Sequence, residues 1–311
     1  MIKKTHVTIS DQWKYNDEEK SSLSNTLKVT LKDFIENFFG IKIIKKKNYG
    51  TITDKQTFLI SKNLNHRKYL LLSDVLKTFL KKFNINISKR KIFLDIKEHD
   101  KIFFKKNPIN VNNGGIGYNN SLFLFIFLKN ISIELMIESG IWQGYTSYLI
   151  DQAKKKIRNI KFDINFTKII YKSKTANYNE FDIKHYNFKD ELKYLKRSAA
   201  FFDDHVNQLD RFLLSDYLNI PIMIFDDDLK FETIHSDGWP AIPTISMIRE
   251  KILFKKIKWY NFGKIAQTNL KFKFDKKKLN KYIFHTAPNI SHITGYYFQS
   301  PMTFIKKKKF R

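Results

Sequence analysis

Cysteine is absent from the 311 residues, which excludes disulfides, thiolate catalysis and Cys-ligated zinc and suits a reducing compartment. No apolar stretch is long enough to cross a bilayer: the greasiest, Leu122 to Leu128, falls well short of the roughly 20 residues required. The first residues, Met1 to Lys14, carry charge without an apolar stretch, so no signal peptide is read there and a soluble, cytoplasmic protein is expected. Acids are few beside bases, 30 Asp+Glu against 57 Lys+Arg, giving a formal net charge of +27. Such a charge by itself points to polyanions. The bases fall in scattered lysine runs, such as Lys45 to Lys47, Lys154 to Lys156 and Lys306 to Lys309, with no nucleic-acid motif beside them. They read as solvated surface, and a nucleic-acid partner is not expected.

Hydrophobic residues make up 42% of the chain, enough for a sizeable core. Residues 1–105 carry no visible chemistry and are expected to form a small α-rich accessory or cap region. Ser24 to Phe39 and Ser73 to Phe83 have helical spacing, whereas Lys91 to Phe104 alternates more like a pair of strands. The character changes at Asn107-Pro108 and the turn-forming Asn112-Asn113-Gly114-Gly115. Beyond it, Ser121 to Lys129 reads as a buried helix and Ile131 to Ile137 as a core strand. Then follow a helix from Tyr145, a strand from Arg158 to Ile164, and a third strand near Lys168 to Tyr171. Ser198 to Phe202 and Ile220 to Phe225 are further apolar strands, separated by a helix over Val206 to Leu218. This alternation predicts an α/β fold over residues 106–311: a Rossmann-like, mostly parallel sheet with helices on both faces. Lys271 to Phe310 is expected to add antiparallel edge strands.

Such sheets bind ligands beyond the carboxyl ends of their strands, and here those ends carry glycine or acid. Glu138-Ser139-Gly140-Ile141-Trp142-Gln143-Gly144 joins a strand to a helix. Its two glycines permit a tight turn and a close ligand approach, and its glutamate suits an ammonium group better than a phosphate. Trp142 reads as a packing residue. Asp163 ends the next strand, about 20 residues on, where ribose hydroxyls are commonly caught; a plain turn or cap is the simpler alternative. Asp203-Asp204-His205 and Asp226-Asp227-Asp228 end two more strands. Clustered carboxylates suit a hard divalent ion such as Mg²⁺, and a neighbouring histidine can act as general base.

With these residues in place, Glu138 to Ser147 resembles motif I of class I S-adenosylmethionine-dependent methyltransferases. The form is that of the cephalosporin hydroxylase-like and sugar O-methyltransferase-like branch. Asn113-Gly114-Gly115, Asn119-Asn120-Ser121 and Phe201 to His205 add to the resemblance, which spans Pro108 to Asp228. It implies S-adenosylmethionine bound by Glu138, Ser139, Gly140, Gly144 and Asp163, and Mg²⁺ held by Asp203, Asp226 and Asp227. His205 and Asp204 would then be catalytic, on a hydroxyl of a sugar or other small molecule in carbohydrate biosynthesis. The chain departs from the family in its triple aspartate, and homo-oligomerisation is left open. Two alternatives stay in play: a metal-dependent glycosyltransferase using Asp226-Asp227-Asp228, and a basic polyanion-binding protein.

Overall fold

The computed structural model describes residues 66–109, 115–230, 241–250, 255–261, 264–270, 276–296 and 300–310. The expected helix Ser24–Phe39, the loop Gly238-Trp239-Pro240 and most of the Asn112–Gly115 turn lie outside the described residues. Two compact units are distinguished. The larger contains α1 (His66–Lys81), α2 (Lys89–Lys105), α3 (Tyr118–Lys129), β1 (Leu135–Ser139), α4 (Tyr145–Ala153), β2 (Arg158–Phe162), β3 (Ala176–Asn179), α5 (Leu192–Leu195) and β4 (Ser198–Phe202). After α6 (Gln208–Tyr217) come β5 (Ile222–Phe225), β8 (Tyr282–Thr286), α8 (Ser291–Thr294) and β9 (Thr303–Lys307). The smaller unit holds residues 205–209, α7 (Ile245–Arg249) and the antiparallel hairpin of β6 (Lys255–Asn261) and β7 (Lys264–Leu270).

The seven-stranded sheet runs in the order β3-β2-β1-β4-β5-β9-β8. The first five strands are parallel, and β9 and β8 close the edge antiparallel, as the β-type alternation of the C-terminal segment predicts. β1, β4 and β5 are buried along their whole length, which requires cover on both faces. Met136, Ala199, Phe201, Ile222, Ile224 and Phe304 join the core built by α1, α2 and α3. On the other face, Phe212 of α6 meets Tyr282 edge-on at 5.3 Å. From Leu122 to Leu128 α3 is apolar all round, and the helix is buried except at Lys129, because helices cover it on one side and the sheet on the other. Among the described residues, no helix is long and apolar enough to cross a membrane.

Two expected elements differ. Lys91 to Phe104 is not a strand pair but lies within the helix α2. Its buried positions, Ile92, Asp95, Ile96, His99 and Ile102, recur at helical spacing. Two of the five are polar, which hides the stripe, and Leu94 is 55% exposed despite its apolar character. The third strand falls at Ala176–Asn179 instead of Lys168–Tyr171. As an edge strand with one neighbour, it lacks the apolar run that marks its buried companions.

The helix–sheet core rests on phenylalanines that meet edge-on or tilted. Phe127 lies 5.2 Å from Phe83 and 4.9 Å from Phe304, ring centre to ring centre. Phe127→Ala is expected to lower stability by about 3–5 kcal/mol, read as a lower urea midpoint at unchanged slope. Buried His99 adds a pH dependence. Its Nε2 lies 2.9 Å from Ser121 Oγ, while Nδ1 is buried without a hydrogen-bond partner. Burial holds the imidazole below its ordinary value of 6.5, against the opposing charge of Asp100. Just below that value the unfolded chain therefore binds more protons than the folded one. This residue then removes up to about 1.4 kcal/mol of stability per pH unit as pH falls, until the folded-state value is passed. Urea midpoints between pH 7 and 5 should fall more steeply for the natural chain than for His99→Gln; parallel slopes would contradict the assignment.

Candidate active site

The ends of four neighbouring strands are level. Ser139 of β1 is in register with Phe162 of β2 and with Phe202 of β4, and Phe202 with Phe225 of β5. The next residue on each strand is therefore Asp163, Gly140, Asp203 or Asp226. Their amides extend the ladder by one step: Asp163 N–H donates to Asn179 O, Gly140 to Phe162 O, Asp203 to Ser139 O, and Asp226 to Phe202 O. The row crosses the point between β1 and β4 where strand order reverses, the usual ligand crevice of an open α/β sheet.

Gly140 and Gly144 are in the left-handed region, at φ +91° and +92°. A Cβ on Gly140 would lie 2.3 Å from Asp203 O, and one on Gly144 2.3 Å from Tyr171 O. The missing side chains thus admit the protein's own backbone: the end of β4 on one side, the segment after β2 on the other. Gln143 O accepts from the amides of Ile170 and Tyr171, tying that segment to the turn. Gly140→Ala is expected to destabilise the chain through both the clash and the positive φ; a thermal melt no lower than that of the natural chain would contradict this.

Asp163 shapes the same turn. Its Oδ2 accepts from Ile141 N–H at 2.8 Å and Trp142 N–H at 3.1 Å, and its Oδ1 from Asn165 N–H at 3.1 Å. An ionised carboxylate has about four acceptor positions, so one remains for a further donor. Trp142, expected to pack, is instead 43% exposed. It is held at φ +51°, with Lys168 Nζ 5.4 Å from its ring centre.

Glu138 is placed differently from a ligand's ammonium partner. It is buried, and its Oε2 accepts from Lys161 Nζ at 2.6 Å and Ser147 Oγ at 2.7 Å. Oε1 is buried without a hydrogen-bond partner. Burial pushes its pKa up despite the lysine. The sequence carried a signal for this pair: an acid inside one apolar strand and a lysine inside the next, which the register sets side by side.

The acids divide into paired and crowded. Asp204 accepts from Ser139 Oγ and from Arg211 Nε, at 2.8 Å for the latter. Arg211, nearly fully buried, also donates to Asp182 at 2.7 Å. Burial raises the Asp182 pKa, but the Arg211 hydrogen bond and charge outweigh it and hold it below the usual range. Asp226 accepts from Asn120 Nδ2 and Ser300 Oγ, both at 3.1 Å. Asp203 and Asp227 bring carboxylate oxygens within 4.8 Å of each other. Burial first, then the charges of Asp227 and Asp204, push Asp203 well above the usual carboxylate range; burial and Asp203 do the same to Asp226.

Asp227 and His205 are both non-glycine residues at positive φ, +51° and +53°. Such backbone costs on the order of 1–3 kcal/mol and gathers at functional sites. His205 is exposed and belongs to the smaller unit. Asp228 departs from its neighbours: within the smaller unit it accepts from Ser246 N–H at 2.6 Å and Ser246 Oγ at 2.9 Å. The triple aspartate therefore does not act as one ligand set.

Fold and site together define a doubly wound α/β protein with acid-tipped strands at its switch point. No protein-family model matches the chain, and no curated protein matches it. Solved structures similar to it include an O-methyltransferase from Bacillus cereus in complex with S-adenosylhomocysteine, at 10% identity and TM-score 0.40. That match covers 75% of this chain and 96% of the other. The O-methyltransferase TomG from Streptomyces achromogenes, involved in tomaymycin synthesis and solved with S-adenosylmethionine, is similar at 9% identity and TM-score 0.39, covering 78% and 99%. The apo structure of CmcI-N160 is similar at 11% identity and TM-score 0.31; the chain covers about half of it, 52%, with 36% of its own length.

Proposed function

We propose that this chain is an S-adenosylmethionine-dependent O-methyltransferase acting on a hydroxyl of a sugar or other small molecule. The observation that carries this reading is the level row Asp163–Gly140–Asp203–Asp226 across the switch point. The residues suit the two absent groups. Asp163 keeps one acceptor position free for a ribose hydroxyl, beside an exposed indole. Asp203 and Asp227 offer hard oxygen donors close enough to share one divalent cation, which would relieve the repulsion that raises Asp203. When bound, S-adenosylmethionine supplies a methyl group already activated on sulfur.

What remains for the protein is alignment and one proton. Asp163 fixes the turn and the cofactor's ribose. Asp203 and Asp227 would hold Mg²⁺, which would orient the acceptor oxygen; Asn120 and Ser300 fix Asp226 beside them. His205, two residues beyond Asp203 in the chain, takes the hydroxyl proton. With that proton removed, the acceptor oxygen would be free to take the methyl group that the cofactor supplies. The proposed setting is the cytoplasm and carbohydrate biosynthesis.

Trp142 supplies the test. Adding S-adenosylhomocysteine is expected to change the tryptophan emission, with the change lost in Trp142→Phe. In Asp163→Asn the half-saturating concentration should rise about tenfold or more, since a charge-assisted hydrogen bond and the turn's order are both weakened. An unaltered titration in Asp163→Asn would overturn the placement of the ribose.

A further inference from the structure

The opposite edge of the sheet, where β1 and β2 begin, carries a second feature. Loop 130–134 enters β1 and loop 154–157 enters β2, and β1 has five residues, so about 16 Å of strand separates this edge from the acid row. Between these loops and the start of α2 lies an open cavity of about 660 Å³. Lys91, Lys129, Lys154, Lys155 and Lys156 line it, with Ile131 and Ile133 among the apolar wall residues.

Five cations around one cavity need an explanation. Two of them have carboxylate partners: Lys91 reaches Asp95 at 2.8 Å, and Lys129 reaches Asp95 at 3.0 Å and also Glu98. Lys154 donates to a neutral acceptor, Ile131 O. Among the described residues, no carboxylate pairs with Lys154, Lys155 or Lys156. Burial and the facing charge of Lys91 both disfavour the charged form of Lys154. Some of this charge offsets the negative ends of α3 and α4, which finish here. That role accounts for one lysine at each helix end, not for three in succession beside a cavity.

We propose that this cavity binds a compact ligand carrying several phosphate groups, held by Lys154, Lys155 and Lys156 with Lys91 and Lys129 beside them. Flexible ammonium groups act as point charges on phosphate oxygens, and the isoleucine wall gives the ligand's uncharged part a surface to rest on. The site is distinct from the acid row and does not depend on the function proposed for it. A long nucleic-acid strand would instead use an extended basic track, whereas these lysines line one open cavity.

Inorganic tripolyphosphate is the probe, titrated calorimetrically into the full chain at about 0.15 M salt, where exposed charges are largely screened. One saturable site is expected. Replacing the exposed pair Lys155→Glu and Lys156→Glu should weaken it about tenfold or more. The charge-matched control, Lys308→Glu with Lys309→Glu, should leave affinity within about twofold; circular dichroism confirms that both variants fold. Equal weakening by the two pairs, or no saturable binding, would overturn the proposal. So would a single-stranded DNA oligomer that outcompetes tripolyphosphate and is weakened equally by both pairs.

Discussion

Lys161→Met is expected to destabilise the chain by about 3–5 kcal/mol, because it strands the Glu138 carboxylate in the core without its counter-charge. Both side chains of the pair are 1% exposed, and their nearest atoms are 2.6 Å apart. Adding Glu138→Leu to Lys161→Met should return most of that loss, since exchanging a whole buried ion pair for apolar groups is often neutral or favourable. The deficit of Lys161→Met should also shrink in acid. Glu138 already titrates above its ordinary 4.5, chiefly through burial, and losing the lysine raises it further. Between those two values the folded chain holds the proton and the unfolded chain does not, so stability rises as pH falls. Urea denaturation of the single and double variants at pH 8 and pH 5.5 reads both effects. A single variant as stable as the natural chain would contradict the buried pair.

On the proposed function, Asp203→Asn is expected to lower methyl transfer on the order of 100-fold or more while leaving the fold intact. A cation held there, as proposed, would contribute several kcal/mol to the transition state by polarising the acceptor oxygen, and each 1.36 kcal/mol is about tenfold in rate. Stability should hold or rise, because the amide removes a charge that burial, Asp227 and Asp204 all oppose. The combination of slower turnover with unimpaired melting separates a functional carboxylate from a structural one. Lower stability together with unchanged turnover would show that Asp203 serves packing alone.

Much of the sheet was legible from residue order. Near-continuous apolar runs at Leu135–Ser139, Ser198–Phe202 and Ile222–Phe225 mark strands buried on both faces, and each is followed at once by glycine or aspartate. Elements whose burial is mixed were hidden. α2 turns Asp95 and His99 inward, and β3 has no buried residue at all. At the site, the acids could be found because a strand end is a position in sequence. Their partners could not. Arg211 reaches Asp204 and Asp182 from α6, and Asn120 and Ser300 reach Asp226 from 106 and 74 residues away. Such pairings follow from tertiary packing. The glycines show the same limit: their spacing announces a tight turn, yet only coordinates reveal that Asp203 O and Tyr171 O fill the space beside them.

The proposed cofactor site is tested most directly by calorimetric titration of S-adenosylmethionine into the folded chain with Mg²⁺ present. Saturable one-to-one binding is expected, weakened in Asp163→Asn and retained in Lys155→Glu with Lys156→Glu. No heat of binding at millimolar cofactor, from protein whose sheet is intact by circular dichroism, would contradict it.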